Sequence, residues 1–172
     1  MQSEVMVRKL QADDVSRFRE LRLKALRDAP TAFASSYEED AALSEESLRA
    51  RLDAGPSAVF GAFAGETLVG MAGFFALSGP KRRHRGLLWG VFVDAGQRGR
   101  GLARQLVERV IRHAGQHVRI LEAGVTAGND SAAALYDSLG FQVIGRLPKA
   151  LLVEDCFHDE ILLARELERQ TG

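Results

Sequence analysis

The stretch from Gly86 to Gly115 constrains this chain more than any other. GLLWGVFVD carries large apolar residues on both parities, the pattern of a strand buried on both faces inside a sheet. AGQRGRG follows directly, and LARQLVERVIRHA then repeats Leu102, Leu106, Val110 and Ile111 at helical spacing until Gly115 stops it. A strand that passes through a glycine turn into a helix gathers free main-chain N–H groups and the positive helix end at one point. Such a point suits a phosphate. Gly99, Gly101 and Ala103 leave the main chain open to a pyrophosphate where a larger side chain would stand in the way, although a glycine-rich surface turn would look the same. Two other nucleotide sites are excluded: no Gly-Lys-Ser/Thr ending makes a P-loop, and Arg104 stands at the third glycine of a dinucleotide pattern.

Around this unit the chain alternates short strands and helices. EVMVRKL reads as a strand, and Asp13 as the cap of a helix through about Asp28, with Val15, Phe18, Leu21, Ala25 and Leu26 on one face and Pro30 ending it. A loop and a second helix near Ser44 to Ala54 follow. SAVFGAFAGETLVGMAGFFALSG reads as two strands joined at Gly65-Glu66, and KRRHR as the next turn. After the central helix come the strand HVRILEAGVTA, a capped helix NDSAAALYDSLGF ended by Gly140, and a closing pair of strands. The 172 residues suit one domain, 1–172, of class α+β.

Charge sharpens the argument because its sum conceals its distribution. Lys and Arg number 23 and Asp and Glu 23, a net charge of zero, which speaks against a nucleic-acid partner. Yet Lys81 to Arg119 holds ten basic residues against Asp94 and Glu108, a local excess of +8 that favours an anionic ligand there. The acidic balance falls in the flanks, where Glu38, Glu39, Asp40, Glu45 and Glu46 cluster and suggest a cationic second ligand. A single cysteine, Cys156, excludes an internal disulfide and a cysteine-built zinc site, and no metal is expected. With no apolar run of membrane-spanning length and no signal-like start, the expected setting is cytoplasmic, with no membrane partner.

A second motif follows one strand later: Asn129, Ala132, Leu135, Tyr136, Leu139, Gly140 and Phe141. Together V-F-V-D-x4-R-G-R-G-L-A and N-x2-A-x2-L-Y-x2-L-G-F resemble the GNAT superfamily of acetyl-coenzyme A (acetyl-CoA) dependent N-acetyltransferases. The resemblance runs from about Gly61 to Leu163 and includes the final D-E-I-L-L strand. It implies the GNAT fold, a mixed, mostly antiparallel sheet of about seven strands flanked by helices. The fourth strand, Gly86 to Val93, and the fifth, Val118 to Ala127, would splay apart in a V to admit the cofactor. It implies a monomer or homodimer and, as acceptor, a small-molecule or peptide amine.

The same resemblance distributes roles. Main-chain groups of Val91, Phe92 and Val93 would pair with the pantetheine arm as an added strand would. Arg98, Gly99, Arg100, Gly101, Leu102, Ala103 and Arg104 would cradle the pyrophosphate, and Asn129 would bond the cofactor near its thiol end or cap a helix, or both. The amine would attack the thioester directly through a tetrahedral intermediate held by a main-chain N–H of the fourth strand. Tyr136, seven residues after Asn129, would protonate the departing thiolate. Relatives often carry a base on the fifth strand; here that position is Gly124, so Glu122, one pair earlier on the same face, becomes the candidate, with water as the alternative. Phe33, Ser35 and Tyr37 lie in the region that would fold over the acceptor. The competing functions are an acyl-CoA sensor without turnover, and transfer of a longer acyl group or to a hydroxyl.

Overall fold

The apolar run at residues 58–63 packs on two sides at once. In the computed structural model, which describes residues 4–168, strand β2 (Ala58–Ala64) sends Ala58, Phe60 and Ala62 into one cluster and Val59 and Phe63 into another. It lies between β1 (Val5–Lys9) and β3 (Thr67–Ala76), and β4 (Arg85–Val93) follows β3, all antiparallel. Beyond β4 come β5 (Ile120–Thr126), β7 (Cys156–Glu166) and the edge strand β6 (Gln142–Val153). Seven strands thus form one sheet in the order β1-β2-β3-β4-β5-β7-β6, with β4 fourth.

Helices cover both faces. On one side lies α4 (Leu102–Ala114), whose Leu102, Leu106, Val107 and Val110 are buried, together with Tyr136 and Leu139 from α5 (Asp130–Ser138) and its end. On the other lie α1 (Val15–Asp28) and α3 (Glu45–Asp53), burying Phe18, Leu21, Leu26, Leu48 and Leu52. The expected apolar face of α1 is the buried one, but its start is not. A 3-10 turn at Ala12–Asp14 precedes the helix, and Asp14 rather than Asp13 occupies the cap position. Asp14 does not cap through its side chain. It takes Arg8 bidentately at 2.7 and 2.8 Å, which holds its carboxyl below the usual carboxylate range. A second difference is α2 (Tyr37–Ala41), one turn of helix where the sequence reads as loop, started by the reciprocal capping of Ser36 and Glu39.

Two features of β4 create the working surface. Its parallel pairing with β5 lasts only from Arg85↔Ile120 to Leu87↔Glu122, after which the strands part; that is the expected splay. The opening begins at Leu88. The other feature is a bulge: pairing with β3 jumps from Gly73↔Trp89 to Met71↔Phe92, setting Gly90 and Val91 opposite Ala72. Gly90 sits there at φ 66°, a left-handed conformation. The extra residue resets the alternation, so Leu88 and Val93, of opposite parity, belong to the same core cluster.

A partly buried imidazole gives the fold a pH dependence. His113, near the end of α4, bonds the Pro56 carbonyl at 2.7 Å and meets Phe60 and Phe74 edge-on at 5.6 and 5.7 Å. Desolvation lowers its pKa from the ordinary 6.5 despite that bond, and His117 and Lys9 lower it further. The unfolded chain then binds the proton first, so stability declines as pH falls below about 6.5. A plot of Tm against pH should show this decline, and His113→Gln should flatten it; an unchanged slope in the variant would remove His113 as the cause.

Candidate active site

The split between β4 and β5 opens a cleft of about 750 Å³ running to the start of α4. Asp94 donates its main-chain N–H to Val69 on β3 at 2.8 Å. Alternate residues of a strand turn their polar groups to opposite sides, so Phe92 turns its own toward β3 while Val91 and Val93 turn theirs into the opening. There Arg98 Nε donates to the Val93 carbonyl at 3.1 Å. Phe92 contributes its ring, tilted against Phe33 at 6.4 Å.

At the mouth, Gly99 and Gly101 adopt φ 76° and 73°, and a Cβ on either would meet no atom within 4 Å. The backbone favours glycine at both positions, and the space over each is free. Gly101 is the N-cap of α4 and no side chain caps it; the first helical bond runs from Gln105 N–H to the Gly101 carbonyl. Leu102, Ala103 and Arg104 therefore hold their N–H groups outside the helical ladder. With Arg98 beside them, these groups fit a pyrophosphate by charge and by geometry. Arg104 turns its guanidinium to Ser138 Oγ at 2.6 Å, which ties α4 to α5. Arg100 does not line this cleft and donates to Gln97 Oε1 at 2.5 Å.

Asn129 and Tyr136 stand on the far wall. Asn129 caps α5, its Oδ1 accepting from Ala132 N–H at 3.4 Å, and also lines the cleft. Tyr136 is 6% exposed, with its ring edge-on to Phe141 at 5.5 Å, and its hydroxyl finds no partner among the described residues. Burial pushes the phenol well above its ordinary pKa of 10, so it stays protonated at any physiological pH.

A second pocket, of about 550 Å³, adjoins the first, the two sharing Ala32, Phe33, Leu88, Trp89, Gly90 and Gly124. Ser35 lines it; Tyr37 lines neither pocket, because its ring lies under the Arg27 guanidinium at 5.5 Å. The loop carrying Phe33 is tied across the split by Thr126 Oγ1, which donates to the Thr31 carbonyl at 2.5 Å.

The carboxylate in this pocket is one that the sequence reading passed over. Glu122 is ion-paired with Arg85 where β4 and β5 are still joined, and it lines neither pocket. Glu160 of β7 is the diagonal neighbour of Gly124, and its Oε1 lies 2.6 Å from where a Gly124 Cβ would be. The missing side chain on β5 is thus replaced by a carboxylate from the next strand. Only strand pairing brings the two together, so the sole sequence signal was the absence at Gly124. The acidic flank is likewise absent from the pockets: Asp40 pairs with Arg22 at 2.6 Å, Glu45 with Arg49 at 2.8 Å, and Glu39 caps α2.

Comparisons with known proteins agree with this arrangement. A sequence model of the acetyltransferase (GNAT) family matches residues 20–141. Over 85 residues the chain is 40% identical to the N-alpha-acetyltransferase RimI of Mycobacterium tuberculosis, a match taking in 49% of this chain and 52% of that protein. The chain spans about half the length, or less, of the curated relatives it matches, from 24% to 52% in four of them. Among solved structures, an acetyltransferase of the GNAT family from Streptococcus pneumoniae superposes with a TM-score of 0.84 at 21% identity, over 95% of this chain and 100% of that one. A Salmonella typhimurium protein solved with acetyl-CoA reaches a TM-score of 0.81 at 20% identity, over 98% of this chain and 96% of that one. At these identities the two structures establish the fold.

Proposed function

The chain belongs to the acetyltransferase (GNAT) family, and on that premise we propose that it moves an acetyl group from acetyl-CoA to the nitrogen of a primary amine. The observation that carries this reading is the opening of β4 from β5 beside an uncapped helix N-terminus, with Gly99 and Gly101 in left-handed conformation and free space over both. When bound, acetyl-CoA supplies an activated thioester. The chain's own groups do the rest. The main-chain N–H groups of Leu102, Ala103 and Arg104 bind the pyrophosphate, and Val91 and Val93 extend the sheet's hydrogen bonding to the pantetheine arm. Gly90 and Gly124, which line both pockets, would then border the carbonyl to be attacked, and a β4 main-chain N–H there would suit a developing oxyanion.

Glu160 is the base in this reading. An amine with a pKa near ~10.4 is mostly charged at neutral pH, and a carboxylate at the junction both holds it and takes its proton. Tyr136 gives a proton to the sulfur. Exchanging Glu160 for Gln should reduce kcat by about a hundredfold or more, the usual share of a general base, with acetyl-CoA binding intact. Glu122→Gln should leave kcat nearly unchanged, since its carboxylate serves Arg85. If the two variants behave the other way round, the base is Glu122.

The activity itself is tested by free-thiol release from acetyl-CoA against a panel of amines, amino acids, polyamines and peptides. Release that requires both an acceptor and Tyr136 supports the transferase. Stabilisation by acetyl-CoA without release against any acceptor favours the sensor.

A further inference from the structure

The pocket beside the coenzyme cleft contains two hydrogen-bond donors that the protein does not satisfy. Arg22 of α1 is 8% exposed and donates through Nε to the Asp40 carboxylate at 2.6 Å. Its guanidinium lies by the rings of Phe33 and Trp89, 5.0 and 5.6 Å from their centroids. Arg22 Nη1 and Trp89 Nε1 are both shut off from bulk water, and among the described residues neither has an acceptor. Folded proteins keep few such groups unpaired, because desolvating a donor without a bond is costly. Nη1 lies at the bulge in β4, 3.5 Å from the Cβ position that Gly90 leaves empty, and the Trp89 indole lies over Gly73 of β3.

The charges around the pocket have a direction. Arg51 lines the same pocket as Arg22 and Trp89 and has no acidic partner among the described residues. Glu160 is the one acid among the lining residues, and it lies over Gly124 at the junction with the coenzyme cleft. Asp40 balances the charge of Arg22, so what the pocket offers there is unpaired donors with the Arg51 cation beside them, and a single lining carboxylate, Glu160, stands where the reacting nitrogen would be. A polyamine would bring a second cation to Arg22 and Arg51. A carboxamide would bring N–H donors to a site already rich in donors, whereas a carboxylate is an acceptor only, with two oxygens for two donors.

We propose that the acceptor is a small amino acid, its carboxylate bound by Arg22 Nη1 and Trp89 Nε1 after a local shift of the pocket wall that uncovers them, with Arg51 nearby, and its amine held by Glu160 beside Gly124. The pocket, about 550 Å³, has the size of a small-molecule site. This rests on the acetyl-transfer reading and narrows it: the second ligand is a zwitterion rather than the cation that the acidic flank suggested.

The test compares α-amino acids and short ω-amino acids, each with its carboxamide and its decarboxylated amine, in two readouts. One is kcat/KM for thiol release. The other is the rise in Tm of the CoA-saturated protein on adding the same compounds, which does not depend on turnover. At least one acid should exceed its carboxamide about tenfold or more in kcat/KM, as expected when a charge-assisted bond is lost, and should raise Tm more. Trp89→Phe, which keeps a ring and removes one N–H, and Arg51→Gln at the surface should each shrink that ratio; Arg22→Lys should abolish it. If Arg22→Lys fails to fold, the other two variants still decide the matter. Carboxamides or polyamines equal to or better than the acids would overturn the proposal while leaving acetyl transfer intact. So would release and Tm shifts with none of the acids, and stabilisation by acetyl-CoA alone then reports separately on the coenzyme site.

Discussion

Tyr136→Phe should lower turnover roughly ten- to a thousandfold, about 1.4 to 4 kcal/mol of barrier, while acetyl-CoA binds as before. The substitution is clean because of where the hydroxyl sits. The ring is 6% exposed and packs edge-on against Phe141, contacts that phenylalanine keeps, and the hydroxyl bonds to nothing among the described residues. Tyr136 lines the cleft, and no protein hydrogen bond among the described residues is lost with its hydroxyl, so Tm should hold as kcat falls. Burial raises the phenol's pKa and keeps it protonated, so Tyr136 contributes no falling limb to the rate between pH 6 and the ordinary phenol value of 10. Wild-type turnover in the variant would exclude Tyr136 as the acid, and an equal fall in Tm and kcat would reduce it to a packing residue.

Gly101→Val should remove the stabilisation that acetyl-CoA confers. At a hundredfold excess over Kd a ligand adds about 2.7 kcal/mol, which for a chain of this size is a rise in Tm of roughly 5 to 11 °C. Valine loses it twice over. Its branched Cβ is strained at φ 73°, and its side chain occupies the open space over Gly101 at the start of α4. Gly65→Val controls for the strain: Gly65 has φ 62° in the turn between β2 and β3 and lines neither pocket, so this variant should lose intrinsic stability yet keep its shift with acetyl-CoA. A full shift in Gly101→Val would mean that the phosphates bind elsewhere.

The wall of the larger cleft was readable because its signals are local. Strand, glycine turn and helix start are contiguous from Gly86 to Leu102, and each constraint acts on the residue that shows it: positive φ on Gly99 and Gly101, and an uncapped helix on Gly101. Asn129 and Tyr136 follow from the same locality, seven residues apart on one short helix. The smaller pocket is legible only in part, for the opposite reason. Phe33 and Ser35, expected near the acceptor, do line the pocket, but Arg22, Trp89 and Glu160 come from three separate parts of the chain and nothing near any of them in sequence marks it as lining one. Tyr37 illustrates the cost. It lies only four residues from Phe33, yet the turn into α2 carries it out of the pocket and against Arg27.

Charge failed in the same way. The excess of basic residues between Lys81 and Arg119 includes Arg98, which does face the coenzyme cleft. Of the acidic cluster from Glu38 to Glu46, Glu39 is spent on a helix cap and Asp40 and Glu45 on ion pairs with Arg22 and Arg49. A count along the chain treats all these charges alike, and only pairing distinguishes those used by the fold from those left for a ligand.

By itself, then, the sequence determined the strands, the longer helices, the resemblance to the family and the glycine turn at the start of α4, because hydrophobic period, glycine conformation and helix termini act over a few residues. The tertiary structure decided how far β4 and β5 stay joined, the bulge at Gly90, the pairing that buries Arg22 with one N–H unspent, and the register that lays Glu160 over Gly124. Those depend on strand pairing between residues far apart in sequence, and a one-residue slip in that pairing would turn Glu160 to the opposite face of the sheet.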